Sequence, residues 1–301
     1  MMMRRLSGLV SAAYTPMDRD GAIRLGMVGE LVEYALAHQN AALFVNGSTG
    51  EFPSLTLSER KELALEYVRC AAGRLPIIVN IGSCCAADSC ELGKHAAAIG
   101  ADAVCVMAPF YFRPETVRDL AEFVKGIVPC CGGLPVFIYH APGITGVRLP
   151  MPEFLSIMRD EVPTFAGMKF TNENLCEFME CVRVSERMQM LSGRDEMLLG
   201  ALAMGAQAAV GTTFNYIPRI YQSVMSCFAS GDLAGAQRWM SRAHEVVRVC
   251  RPYGLAGIKV IMRFAGLDVG PMRRPVNQLS EEQIVQLGHE LESHGLMEYV
   301  G

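Results

Sequence analysis

The stretch Val162–Thr171, VPTFAGMKFT, is apolar at both odd and even positions and carries a lysine near its end. A strand with one wet face alternates, whereas one that is apolar throughout is buried on both faces, as in a parallel sheet covered by helices. Lys169 is the odd residue in this run. The chain has five lysines, and Lys61, Lys94, Lys125 and Lys259 all fall in segments of helical periodicity. Only Lys169 follows a strand-like run.

Runs of the same kind recur along the chain: GLVSAAYTP, AALFVNG, LPIIVNIG, DAVCVMAP and LPVFIYHAP before this stretch, MQMLSG and AAVGTTFNY after it. Amphipathic stretches such as LGMVGELVEYALAHQ and LSERKELALEYVRCAAG lie between them. Eight strand-plus-helix units in about 225 residues are what a (β/α)8 barrel requires. An open doubly wound sheet is the alternative, but GLVSAAYTPMDRDG lacks the G-x-G-x-x-G turn that often follows its first strand. The expected organisation is a catalytic barrel over 1–225 and a C-terminal helical segment over 226–301. Within the latter, Lys259 reads as an ordinary helix residue and MRR at 272–274 as a solvated loop.

At 301 residues, with 51% hydrophobic and 19% charged residues, the chain can bury a large core. A net charge of −4 with scattered arginines gives no electrostatic reason to expect nucleic acid or an anionic membrane as partner. No apolar run reaches the ~18 residues a membrane helix needs, so a cytoplasmic protein is expected. The 11 cysteines show no paired C-x-x-C spacing and read as reduced, small apolar side chains, with no metal site expected.

In a (β/α)8 barrel the chemistry sits at the C-terminal ends of the strands. The residues there are Thr15, Gly47–Glu51, Tyr111, Tyr139, Lys169, Thr171, Gly193, Asp195, Glu196, Thr212 and Thr213. A lysine among apolar neighbours can have its ammonium destabilised by desolvation, which frees a neutral amine to attack a ketone and form a Schiff base. A tyrosine within reach can move the protons. The glycines of GSTGE permit a tight turn whose backbone N–H groups, with the hydroxyls of Ser48 and Thr49, suit a carboxylate.

Taken in order and spacing, GSTGEFPSLTLSER, YHAPGITG and GMKFT resemble the pyruvate-dependent class I aldolase family of N-acetylneuraminate lyase and dihydrodipicolinate synthase. The similarity runs over essentially the whole chain. It implies a (β/α)8 barrel, a homotetramer, and no metal or organic cofactor. It casts Lys169 as the Schiff-base lysine, Tyr139 as the proton relay, and Ser48 and Thr49 as the pair holding the pyruvate carboxylate. Tyr111 would complete a hydroxyl relay in a neighbouring subunit.

The branch within the family is read from two places. Where the synthases carry an arginine for a second substrate carboxylate, this chain has Ile144, which cannot pair with one. Asp195 and Glu196 in SGRDE resemble the acidic pair that receives the polyol tail of a sugar acid, with Thr171, Gly193 and Thr212 around them. The resemblance therefore points to the lyase branch, cleaving N-acetylneuraminate to N-acetylmannosamine and pyruvate. Alternatives are an aldolase or dehydratase acting on another 2-keto sugar acid, or dihydrodipicolinate synthase itself.

Overall fold

The computed structural model describes residues 5–301. Eight parallel strands close into a barrel in chain order: β1 Gly8–Ala12, β2 Ala42–Val45, β3 Ile77–Asn80, β4 Ala103–Met107, β5 Val136–His140, β6 Phe165–Phe170, β7 Gln189–Ser192 and β8 Ala208–Gly211. β1 pairs with both β2 and β8, which closes the ring. The (β/α)8 reading of the sequence is correct.

Helices α1 Val28–Ala37, α2 Leu57–Ala71, α3 Ala86–Ala98 and α4 Val117–Ile127 follow the first four strands. After β5 come the single turn α5 Pro142–Thr145 and then α6 Met151–Glu161. Next are α7 Leu175–Val184, α8 Leu198–Ala203 and α9 Pro218–Ala229, one behind each of the last three strands. The chain ends in α10 Leu233–Cys250, α11 Gly254–Val260 and α12 Glu281–Ser293. Starts are marked in the sequence: Thr56 with Glu59, and Thr116 with Asp119, form reciprocal capping boxes at α2 and α4.

Burial on both strand faces has two destinations. One set of side chains, including Val10, Phe44, Ile78, Cys105, Met107, Phe137, Tyr139 and Val210, fills the barrel interior. The other, including Val45, Val79, Val106, Ile138, Met168 and Phe170, packs against the helical layer. Adjacent residues of β5 thus go opposite ways: Tyr139 inward, His140 outward onto Phe170 at 5.2 Å between ring centroids. Burial pushes the His140 imidazole down to about 4, so it stays neutral at ordinary pH and acts as part of the outer core.

β6 contains an irregularity that decides where Lys169 points. Val136 pairs with Phe165 but Phe137 pairs with Gly167, so Ala166 is an extra residue opposite β5. A bulge shifts the period-2 alternation by one. Beyond it Met168 faces the helices while Lys169 sits inside the barrel. Gly167 makes the bulge possible: its φ is 146°, and a Cβ there would lie 1.9 Å from the backbone oxygen of Gln189. No other residue fits.

Candidate active site

Tyr139 on β5 lies directly across the ladder from Lys169 on β6. Both side chains are buried, at 3% and 4% exposure. The Lys169 amine is sandwiched between aromatic faces, 4.1 Å from the Tyr139 ring centroid and 4.2 Å from that of Phe44. It forms no ion pair among the described residues. Ser48 Oγ is 3.4 Å from the Tyr139 hydroxyl, at the outer limit of hydrogen bonding. Thr49 Oγ1 is 2.6 Å from Thr212 Oγ1, which joins the ends of β2 and β8.

These groups open into one cavity of about 680 Å³, a size suited to a small metabolite. Its lining includes Ser48, Thr49, Tyr139, Ile144, Lys169, Thr171, Gly193, Asp195, Glu196 and Thr212. Every residue to which the resemblance gave a catalytic or substrate-binding role is therefore brought together except Tyr111. That residue stands on the loop after β4, 79% exposed, stacked edge-to-face on Phe112. Thr15 does not line the cavity; its hydroxyl donates to Gly50 O at 2.6 Å and supports the turn from behind.

The GSTGE turn is built differently from the expectation. The left-handed residues are Asn46 (φ 57°) and Glu51 (φ 58°), which bracket the turn, and not the glycines. Gly47 and Gly50 are needed for close approach instead. A Cβ at Gly47 would lie 2.8 Å from the Phe44 ring, and one at Gly50 would lie 3.0 Å from Ala13 O. Among the described residues the N–H groups of Ser48 and Thr49 donate to no other group, so both are available to an anion.

Asp195 sits against the end of β8, where a Cβ on Gly211 would lie 2.6 Å from its carboxyl carbon. It accepts from the N–H and the hydroxyl of Thr213, each at 2.8 Å, through Oδ2. Burial raises its carboxyl to about 6; neighbouring Glu196 adds to this, while the Thr213 donors and Lys169 oppose it. Gly193 is held close to Thr171: a Cβ there would lie 2.0 Å from Thr171 Oγ1, a buried hydroxyl with no partner.

Three features escaped the sequence reading. Gly254, Leu255 and Ile258 reach the cavity from α11, with Val247, Cys250 and Arg251 from the end of α10 and the turn after it. Strand ends alone could not reveal a wall contributed from far along the chain. Lys259 is no ordinary helix residue: it is 1% exposed and paired with Glu51. MRR is not simply solvated either, because Arg273 is half-buried and donates to Gly21 O, Ser54 O and Glu59. Among the described residues no group of three or more His, Cys, Asp or Glu side chains is placed to hold a metal ion.

Residues 5–294 match the dihydrodipicolinate synthetase family model. The N-acetylneuraminate lyase of Gallus gallus is 38% identical over 297 residues, covering 96% of each chain. Among solved structures, the Proteus mirabilis N-acetylneuraminate lyase superposes with a TM-score of 0.94 at 31% identity, over 97% of this chain and 100% of that one. The sialic acid aldolase of Aliivibrio salmonicida gives 0.94 at 30% identity, over 98% of both. With the family's motifs gathered around one cavity and its model matched along nearly the whole chain, this protein belongs to the dihydrodipicolinate synthetase family.

Proposed function

We propose that the chain is a class I aldolase that cleaves N-acetylneuraminate reversibly to N-acetylmannosamine and pyruvate. The observation that carries this reading is the in-register pair Tyr139–Lys169, sharing one cavity with the acidic pair Asp195–Glu196. The open-chain sugar acid presents its C2 ketone to the Lys169 amine. Tyr139 gives its proton to the departing hydroxyl, which leaves as water and produces a protonated imine. The phenolate then takes the proton of the C4 hydroxyl as the C3–C4 bond breaks, its electrons flow into the imine, and the amino sugar leaves. Protonation of the resulting enamine and hydrolysis release pyruvate. Ser48 and Thr49 hold the carboxylate throughout.

Asp195, Glu196, Thr171 and Thr212 receive the hydroxyls of the sugar tail. Ile144 at the cavity offers no charge to a second carboxylate, and the acids Asp195 and Glu196 beside it disfavour one, which supports a sugar acid. The exposed trio Phe110, Tyr111 and Phe112, at 36%, 79% and 86%, fits burial by a second copy of the chain in a homotetramer. Tyr111 would then reach the neighbour's Tyr139.

The direct test is incubation with N-acetylneuraminate, with assay of both products and borohydride trapping read by peptide mass spectrometry. Release of N-acetylmannosamine with a pyruvyl adduct on Lys169 is the expected result. An adduct from pyruvate but no cleavage of the sialic acid would move the substrate elsewhere in the family.

Asp195 supplies a pH signature. As pH falls through about 6 its carboxylate gains a proton and loses its charge, so KM for the sugar acid should rise below that pH. Between its ordinary value and 6 the folded state holds the extra proton, so this residue's contribution to stability falls as pH rises through that window. Asp195→Asn removes the buried charge. It should raise KM at pH 8 by about 10- to 100-fold, the worth of a charge-assisted hydrogen bond, while the melting temperature stays level or rises. A variant with unchanged KM would remove Asp195 from the binding role.

A further inference from the structure

Among the described residues one ion pair is buried on both sides: Lys259 Nζ stands 2.7 Å from Glu51 Oε1, with side chains 1% and 3% exposed. No step of the chemistry above uses it. Desolvating two charges offsets much of their attraction, so such a pair is a weak source of stability, and its location is more informative than its strength.

Glu51 is the exit residue of the turn that carries Ser48 and Thr49, and its backbone is left-handed. A non-glycine residue persists in that region where its surroundings over-determine it. Here its N–H donates to Ser48 O at 3.0 Å, Lys259 holds Oε1, and the Arg273 N–H donates to Oε2 at 2.8 Å. Lys259 is itself fixed by Pro271 O at 2.8 Å. The Arg273 side chain is fixed by Gly21 O and Ser54 O, each at 2.8 Å, and by Glu59 at 2.9 Å. Both donors that grip the Glu51 carboxylate therefore come from the C-terminal segment. α11, which carries Lys259, also presents Leu255 and Ile258 to the cavity.

We propose that the Lys259–Glu51 pair is a positioning device for the substrate carboxylate, locking the turn so that Ser48 and Thr49 face the cavity. Neither residue touches the substrate; both act through the turn. The pair also keeps the site electrically suitable, because Glu51 without its cation would place a bare carboxylate behind the group that must receive another. The inference rests on the reading of Ser48 and Thr49 as the carboxylate-binding pair.

The test uses the full chain, with pyruvate as probe and borohydride trapping on Lys169 measured against pyruvate concentration, alongside thermal unfolding. Lys259→Met and Glu51→Gln should each raise the half-saturating pyruvate concentration by about tenfold or more, the scale expected for a displaced binding group. Trapping at saturating pyruvate should fall by less than about threefold, since the amine is untouched. Glu51→Gln keeps the size of the side chain and decides the matter if Lys259→Met does not fold. Half-saturation equal to wild type in Glu51→Gln, whatever its melting temperature, would overturn the inference and leave the pair a purely structural one. Failure of the wild-type chain to be trapped by pyruvate would instead defeat the Schiff-base reading, and this inference with it.

Discussion

Lys169→Met is expected to reduce cleavage of N-acetylneuraminate by about 10⁴-fold or more, the loss typical when a covalent nucleophile is removed. No other amine can replace it. The remaining cations at the cavity are Arg194 and Arg251, and a guanidinium does not form an imine with a ketone. The second buried lysine, Lys259, is held by Glu51 and by Pro271 O and does not line the cavity. The fold should tolerate the change. Methionine has nearly the length of lysine, and the space it enters is bounded by the Phe44 and Tyr139 rings, which favour a thioether as well as a cation. Steady-state product assays, peptide mapping after borohydride and a melting curve check these points together. Activity within a hundredfold of wild type, or an adduct on the Lys259 peptide, would remove Lys169 from the centre of the mechanism.

Tyr139→Phe should lower kcat by about 10²- to 10⁴-fold, the usual worth of a positioned proton donor and acceptor. The substitution is narrow. The ring that lies under the Lys169 amine and meets Phe44 edge-on at 5.9 Å is retained, and only the hydroxyl is lost. Its partner, Ser48 Oγ at 3.4 Å, is distant enough that stability should change little. Because the hydroxyl serves proton transfer and not binding, KM for the sugar acid should move far less than kcat. The comparison to make is kcat against KM for the wild-type and variant chains at one pH. A kcat within threefold of wild type would transfer the relay to another group, and Ser48 would be examined next.

Much of the site could be read from the chain because each barrel strand is short and ends where chemistry is presented. Lys169 was conspicuous as the one lysine in a strand-like run, and the residues ending the other strands converge on it because eight parallel strands in closed order leave their C-terminal ends on one rim. Successive side chains of a strand point to opposite faces, so Tyr139 and His140 part company, but a run apolar throughout does not show which of them enters the barrel. For Lys169 that choice depends on the bulge at Gly167, and its only trace in the sequence is a glycine inside a strand.

What the sequence determined by itself is therefore the set of elements and their order: apolar runs buried on both faces, amphipathic helices between them, and the chemical types at the strand ends. These depend on residues near one another along the chain, where hydrophobic period and capping act directly. The tertiary structure alone decided the rest. It placed the acid of GSTGE against Lys259, 208 residues away, brought α11 over the cavity, and raised the Asp195 carboxyl by burying it beside Glu196. Charge pairing and desolvation depend on distance through space and on exclusion of water, and neither quantity exists until the chain has closed its barrel and laid its last helices across the rim.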